Sequence, residues 1–257
     1  MGPTIPSPMS RPSQRGQRGQ AAVEAALTLP LAVFMVLGTL QLFLMLQARL
    51  LTEHAAFNAT RAGSLSQGSC KRMLDAALVS VLPAIARTDS PEKLRDAYVR
   101  YRDNRFDPAT DDRRSGPVIW IFRKLGIRNA IAGGRDDAQF DDPDRPHQLD
   151  RTRLETTVVF WYPMRIPFAN WVMARSTLAA WGLGNYAAQN PLMPAQNAQW
   201  TRERTPTEVQ AGVLGEFKAR TMAGEYVFPI QATAAMRMMT PAMKRAGFFD
   251  QPNCGGP

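Results

Sequence analysis

Charged residues are unevenly spaced along the chain, and the longest gap between them comes early. From Ala25 to Ala48, "AALTLPLAVFMVLGTLQLFLMLQA", nothing is charged, a run of about 24 residues where a membrane-spanning helix needs roughly 20. Pro30 and Gly38 are tolerated in such helices because neighbours satisfy the freed backbone groups. A core helix of a globular protein rarely runs this far without a polar face. A cleaved secretory signal has a shorter apolar region with a small-residue cut site after it. Here "QARLLTEHAAFNATRAG" follows and continues as helix, so the pattern predicts an uncleaved anchor over 20–48. Arg11, Arg15 and Arg18 precede it without an acid, which predicts a cytoplasmic leader over 1–19 and export of 49–257.

Past the span, Leu51, Ala55, Asn58, Ala62 and Leu65 recur at helical spacing, and the helix is expected to end near Ser64–Gly68. A second helix is predicted over Lys71–Ala86, with Met73, Leu74, Ala77, Leu78, Val81, Leu82 and Ile85 as its apolar stripe. A third starts at Ser90 with Pro91 in its first turn and Leu94, Tyr98 and Tyr101 facing inward. "PVIWIFRKLGI" fits a strand or a short helix. Residues 133–150 read as a polar loop. "RLETTVVFWYP", rich in β-branched and aromatic residues and stopped at Pro163, reads as a strand. Residues 182–205 read as irregular. Thr205-Pro206-Thr207-Glu208 is a capping box that starts a helix through about Ala219. "EYVFPIQATAAMRMM" reads as a second strand, bent at Pro229. The fold class expected is α+β: a long N-terminal transmembrane helix continuing into a periplasmic domain with helices and a small antiparallel sheet.

The formal net charge of +9 permits attraction to nucleic acid or anionic lipid. Its cations are scattered among acids, with neither zinc-finger spacing nor an aromatic stripe, so nucleic acid is not an expected partner. Catalytic motifs are absent. His54 and His147 are the only histidines and lie far apart, with His54 expected on a helix surface, and no H-E-x-x-H, G-x-S-x-G or Walker loop occurs. Asp136, Asp137, Asp141, Asp142 and Asp144 form an acid-rich loop lacking the alternating acids, central Gly and terminal Glu of a calcium loop. Asn58-Ala59-Thr60 is a glycosylation sequon by pattern, expected to be idle so close to the membrane. Trp161, Trp171, Trp181 and Trp200 are expected as core or interface anchors. Neither an enzyme, a metal site nor a cofactor is expected.

At the mouth of the apolar run stands one acid, Glu24, five residues after Gly19. A carboxylate at the hydrocarbon edge is costly without a partner. "RGQAAVEAALTLPLAVFMVLGTLQLF", with "AAFNATRAGSL" after it, resembles the start of TadE-like proteins, pseudopilins of the tight-adherence (Flp) pilus system. "TTVVFWYPMRIPF" and "IQATAAMRM" resemble that family's later strands more weakly. Two positions depart: Ala25 stands where Phe or Tyr usually follows the glutamate in this family, and Gln20 replaces the aromatic first residue common in type IV pilins. The resemblance implies that a prepilin peptidase cuts between Gly19 and Gln20 on the cytoplasmic side. Glu24 would then pair with a terminal amine, of its own or a neighbouring subunit. It further implies a single-pass protein of the bacterial inner membrane whose partners are other pilin or pseudopilin subunits and the pilus assembly platform. The implied function is that of a minor pilin or pseudopilin of a tight-adherence pilus or related secretion system. The alternative is a membrane-anchored periplasmic binding module that is never processed.

Cys70 and Cys254 are the only cysteines, and both fall on the exported side. An oxidising compartment permits a disulfide between them. Free thiols, or pairing between chains, are the other two possibilities.

Overall fold

The computed structural model describes Gly2 and residues 17–112, 114–123, 153–184, 208–240 and 253–255. The acidic loop at 136–144, Trp200 and the start of the capping box lie outside the described residues. The architecture is α+β. Helix α1 (Gln17–Leu65) is followed by α2 (Cys70–Ile85), α3 (Pro91–Tyr101), strand β1 (Ile119–Arg123), strand β2 (Arg153–Pro163), α4 (Ala169–Gly184), α5 (Glu208–Met222), β3 (Val227–Arg237) and the two-residue β4 (Asn253–Cys254). The strands form one antiparallel sheet in the order β3-β2-β1-β4.

The burial along β2 shows how the layers sit. Leu154, Thr156, Val158, Phe160 and Tyr162, alternate residues on one face, are all buried. Leu154 packs at Gly63 of α1 beside Met73 of α2. On the other face Glu155 and Thr157 are only half-buried, and burial begins at Val159. There the ring of Trp161 lies under the guanidinium of Arg220 in α5, 4.6 Å from Cζ to the ring centroid. Phe217 of α5 meets Phe228 of β3 edge-on at 6.3 Å. One face of the sheet therefore rests on the two N-terminal helices, and half of the other is closed by α5.

α1 seats on the sheet through small residues. Ala48, Thr52, Ala55, Ala56, Ala59, Thr60 and Ser64 are buried, and Thr52 and Thr60 turn their hydroxyls back to the carbonyls of Ala48 and Ala56 at 2.7 Å. This corrects the expected face: Leu65 is exposed and Leu51 half-buried, because close approach of helix to sheet selects small side chains over large ones. Asn58, the sequon residue, donates to Ser80 of α2 at 2.9 Å. His54 is exposed, as expected.

The C-terminal end of α1 is closed by distant residues. Gly68, in the left-handed region at φ 74°, brings its N–H back to Gly63 O at 2.7 Å. Arg123 of β1 donates to Gly68 O at 2.9 Å, and Met239 and Thr240 donate backbone N–H groups to Ser64 O. Burial lowers the Arg123 pKa to about 10.

α2 buries Met73, Ala77, Leu78, Val81, Leu82 and Ile85 as its stripe predicted, while Leu74 of that stripe is only half-buried. α3 is capped by Ser90, which accepts from Lys93 N–H at 3.3 Å, with Pro91 in the first turn. Its inward residues are Ala97 and Tyr101, while Leu94 is exposed, which corrects the expected face. "PVIWIFRKLGI" supplies β1, and its Trp120 stacks edge-on with Trp161 at 5.0 Å in the centre of the core. The ladder between β2 and β3 continues without a break through Trp161↔Pro229. β3 is an edge strand, where a proline's missing N–H need not interrupt pairing. α4 was not foreseen, and it extends to Gly184, into the stretch read as irregular.

Cys70 opens α2 and Cys254 sits on β4 opposite Ile121. Their sulfurs are bonded, with the Cα atoms 5.4 Å apart and a separation of 184 positions in sequence.

Candidate assembly site on the N-terminal helix

α1 changes character along its length. From Ala22 to Val33 every residue is exposed, including Val23, Leu27, Leu29 and Leu31. From Phe34 to Met45 one side is partly covered while Met35, Val36, Leu40, Leu42 and Phe43 stay exposed. From Ala48 onward one face is core. Among the described residues this is the one helix long and apolar enough to cross a membrane. Only 11% of its most apolar window is buried, so it is not the interior helix of a soluble fold.

The proposed cleavage pair, Gly19 and Gln20, lies within the first turns of α1, which begins at Gln17 and so earlier than the expected start at residue 20. Glu24 follows in the same unbroken helix and is exposed. Its backbone carbonyl accepts from Thr28 Oγ1 at 2.9 Å, and Thr39 does the same to Met35 O at 2.7 Å, so these two hydroxyls are satisfied inside the helix. Such bonding is what a hydroxyl requires in hydrocarbon. Pro30 is accommodated without ending the helix.

Two contacts of this helix were not visible in the sequence. Gln41 is fully buried, and its Oε1 accepts from Ile166 N–H at 3.1 Å. One helical stretch nearer the N-terminus, Phe34 meets Phe168 edge-on, centroids 5.6 Å apart at 88°. Both partners lie in the segment between β2 and α4, more than 120 residues away in sequence, so no local pattern announces them. Cys70 and Cys254 lie at the opposite end of α1 from Glu24 and take no part in this surface.

No curated protein and no solved structure matches the chain. The family model described as TadE-like protein matches residues 19–61. That stretch opens at Gly19, includes Glu24 and the whole uncharged run, and stops one turn before α1 ends at Leu65. Over nearly the full length of its N-terminal helix, the chain is similar to TadE-like proteins.

Proposed function

We propose that this protein is a minor pilin or pseudopilin that takes part in assembling a tight-adherence pilus or a related secretion system. The observation that carries the reading is the coincidence of the TadE-like match with a helix that is bare and apolar at one end and core at the other. An exposed apolar surface of this length needs lipid or neighbouring helices to cover it. The basic leader stays cytoplasmic, α1 crosses the inner membrane, and the α+β domain is periplasmic. A prepilin peptidase cuts between Gly19 and Gln20, and because that bond is helical the enzyme must open the first turns of α1. The new amine then lies about one turn from Glu24, close enough to offset part of the carboxylate's desolvation cost. In the assembled state Glu24 pairs with a terminal amine and rewards one axial register between subunits. The protein's role is structural, without catalysis or a cofactor.

Intact-mass measurement of the protein from its native membrane tests this. A mature chain beginning at Gln20 is expected, with Gly19→Leu keeping its leader. A chain that begins at Met1, or is cut near Arg49, would overturn the reading.

A further inference from the structure

The length of α1 that is bare on every side is shorter than a bilayer. From Ala25, the first residue of the uncharged run after Glu24, to Val33 the helix is bare on all sides, about 14 Å at 1.5 Å per residue against roughly 30 Å of hydrocarbon. The shortfall of about 16 Å corresponds to about eleven residues, the length of 34–44. Along this stretch the protein covers one side, at Phe34, Gly38 and Gln41, while Met35, Val36 and Leu40 stay exposed. Leaving β2 at Pro163, the chain descends α1 from the contact of Ile166 with Gln41 to that of Phe168 with Phe34. It then starts α4 at Ala169.

The surface of this descending segment has a lipid-facing character. Phe168 is 56% exposed and Trp171 47%. Phe168 holds φ at 68°, a left-handed conformation that is unfavourable for a bulky residue. In α4, "ANWVMARSTLAAWGLG", Arg175 is the only charged residue. The turn also leaves few backbone donors needing water. The N–H groups of Ile166, Ala169, Asn170, Trp171 and Val172 all donate within the protein, to Gln41 Oε1, Pro167 O, Ile166 O, Asn170 Oδ1 and Phe168 O respectively. Satisfied backbone is the condition for non-helical chain at membrane depth. Arg175 follows Trp171 by four residues in α4, and its long stem allows the guanidinium to reach outward to the headgroups.

We propose that the 166–175 segment, led by Phe168 and Trp171, is embedded in the domain-side leaflet of the bilayer that α1 crosses. The inference rests on the reading of α1 as a membrane span and adds the depth at which the domain sits. The domain does not stand off on a stalk: it is sunk by about 16 Å, and the wedge beside α1 completes the hydrophobic thickness.

The test uses the full chain reconstituted in phosphatidylcholine vesicles with and without brominated acyl chains. Subtracting the tryptophan emission of Trp171→Phe from that of wild type isolates Trp171. Bromine in the acyl region is expected to reduce this difference emission at least twofold. A photoactivatable residue at position 168 in native membranes is expected to label lipid. Retention of the chain in the membrane after alkaline carbonate, with the Trp171 difference unquenched, would overturn this inference while leaving the span intact. Release by carbonate would overturn both. Crosslinks from position 168 to a second copy or another subunit, without lipid, would assign the surface to protein and also overturn it.

Discussion

Gly63→Ala adds one methyl group where α1, α2 and β2 meet. A Cβ at Gly63 would stand 2.8 Å from Leu154 Cδ2 and 2.8 Å from Met73 Sδ, with Met73 Cγ at 3.1 Å. Leu154 and Met73 are both fully enclosed, so neither can swing into solvent to make room. Overpacking of this kind costs about 1–3 kcal/mol. With two contacts at 2.8 Å the cost falls in the upper half of that range, about 2–3 kcal/mol, and alanine recovers about 1 kcal/mol of helix propensity, which leaves a net loss of about 1–2 kcal/mol. The same substitution at Gly212 or Gly215 in α5 meets nothing within 4 Å. Only the propensity gain remains there, so each should stabilise by about 0.5–1 kcal/mol. Urea unfolding of the full chain in mild detergent, followed by the near-ultraviolet dichroism of the packed Trp120 and Trp161, reads both signs. The midpoint should fall for Gly63→Ala and rise for Gly215→Ala. A Gly63→Ala midpoint at or above wild type would refute the claim that α1 is seated on the sheet at this residue.

Three further outcomes are expected. Replacing Cys70 and Cys254 by alanine removes closure of a 184-residue loop, worth about 5 kcal/mol in the entropic account; thermal unfolding should show a large loss, and membrane targeting of the variant, checked by fractionation, should be unchanged. Glu24→Gln should be inserted and cleaved normally but crosslink less to partner subunits in the membrane, and undiminished crosslinking would leave Glu24 without an assembly role. Burial first, and then the 2.7 Å bond that its hydroxyl donates to Asp111, raise the Tyr101 pKa. Its contribution is therefore complete below about pH 10, where the unfolded side chain ionises, and is lost as the pH climbs from there toward the folded value. The gap in unfolding free energy between wild type and Tyr101→Phe should narrow above about pH 10 by up to about 1.4 kcal/mol per unit, measured by urea titration at pH 9, 10 and 11.

Elements whose two faces differ could be read from the sequence. α2 has the stripe Met73 to Ile85 against a polar side, β2 is dense in β-branched and aromatic residues up to Pro163, and α3 begins with Ser90-Pro91; each formed where the pattern placed it. α4 carried no such signal, because its sequence is apolar nearly all round and has no polar face from which to read a period. The seat of α1 was misjudged for a related reason. Hydrophobic periodicity points to leucines, whereas the helix approaches the sheet on Ala, Thr, Gly and Ser. Within the candidate site, Gly19 and Glu24 stood out by position at the edge of the uncharged run. Gln41 and Phe168 did not, since each acquires its meaning only from a residue brought alongside by the fold.

α1 spans 49 residues without interruption, about 73 Å of continuous rod. Its bare end and its seated end belong to the same rod, so no slack linker separates anchor from domain. A pull along the N-terminal half arrives at Ala48–Ser64 as shear spread over the whole contact with the sheet, not as a peeling force that breaks one turn at a time. Torsion is transmitted in the same way: turning the anchor about its axis turns the domain through the same angle. A machine that extracts or rotates this helix therefore handles the entire folded body as a rigid fitting on a shaft, and every degree of anchor rotation sets which face the domain presents to its neighbours.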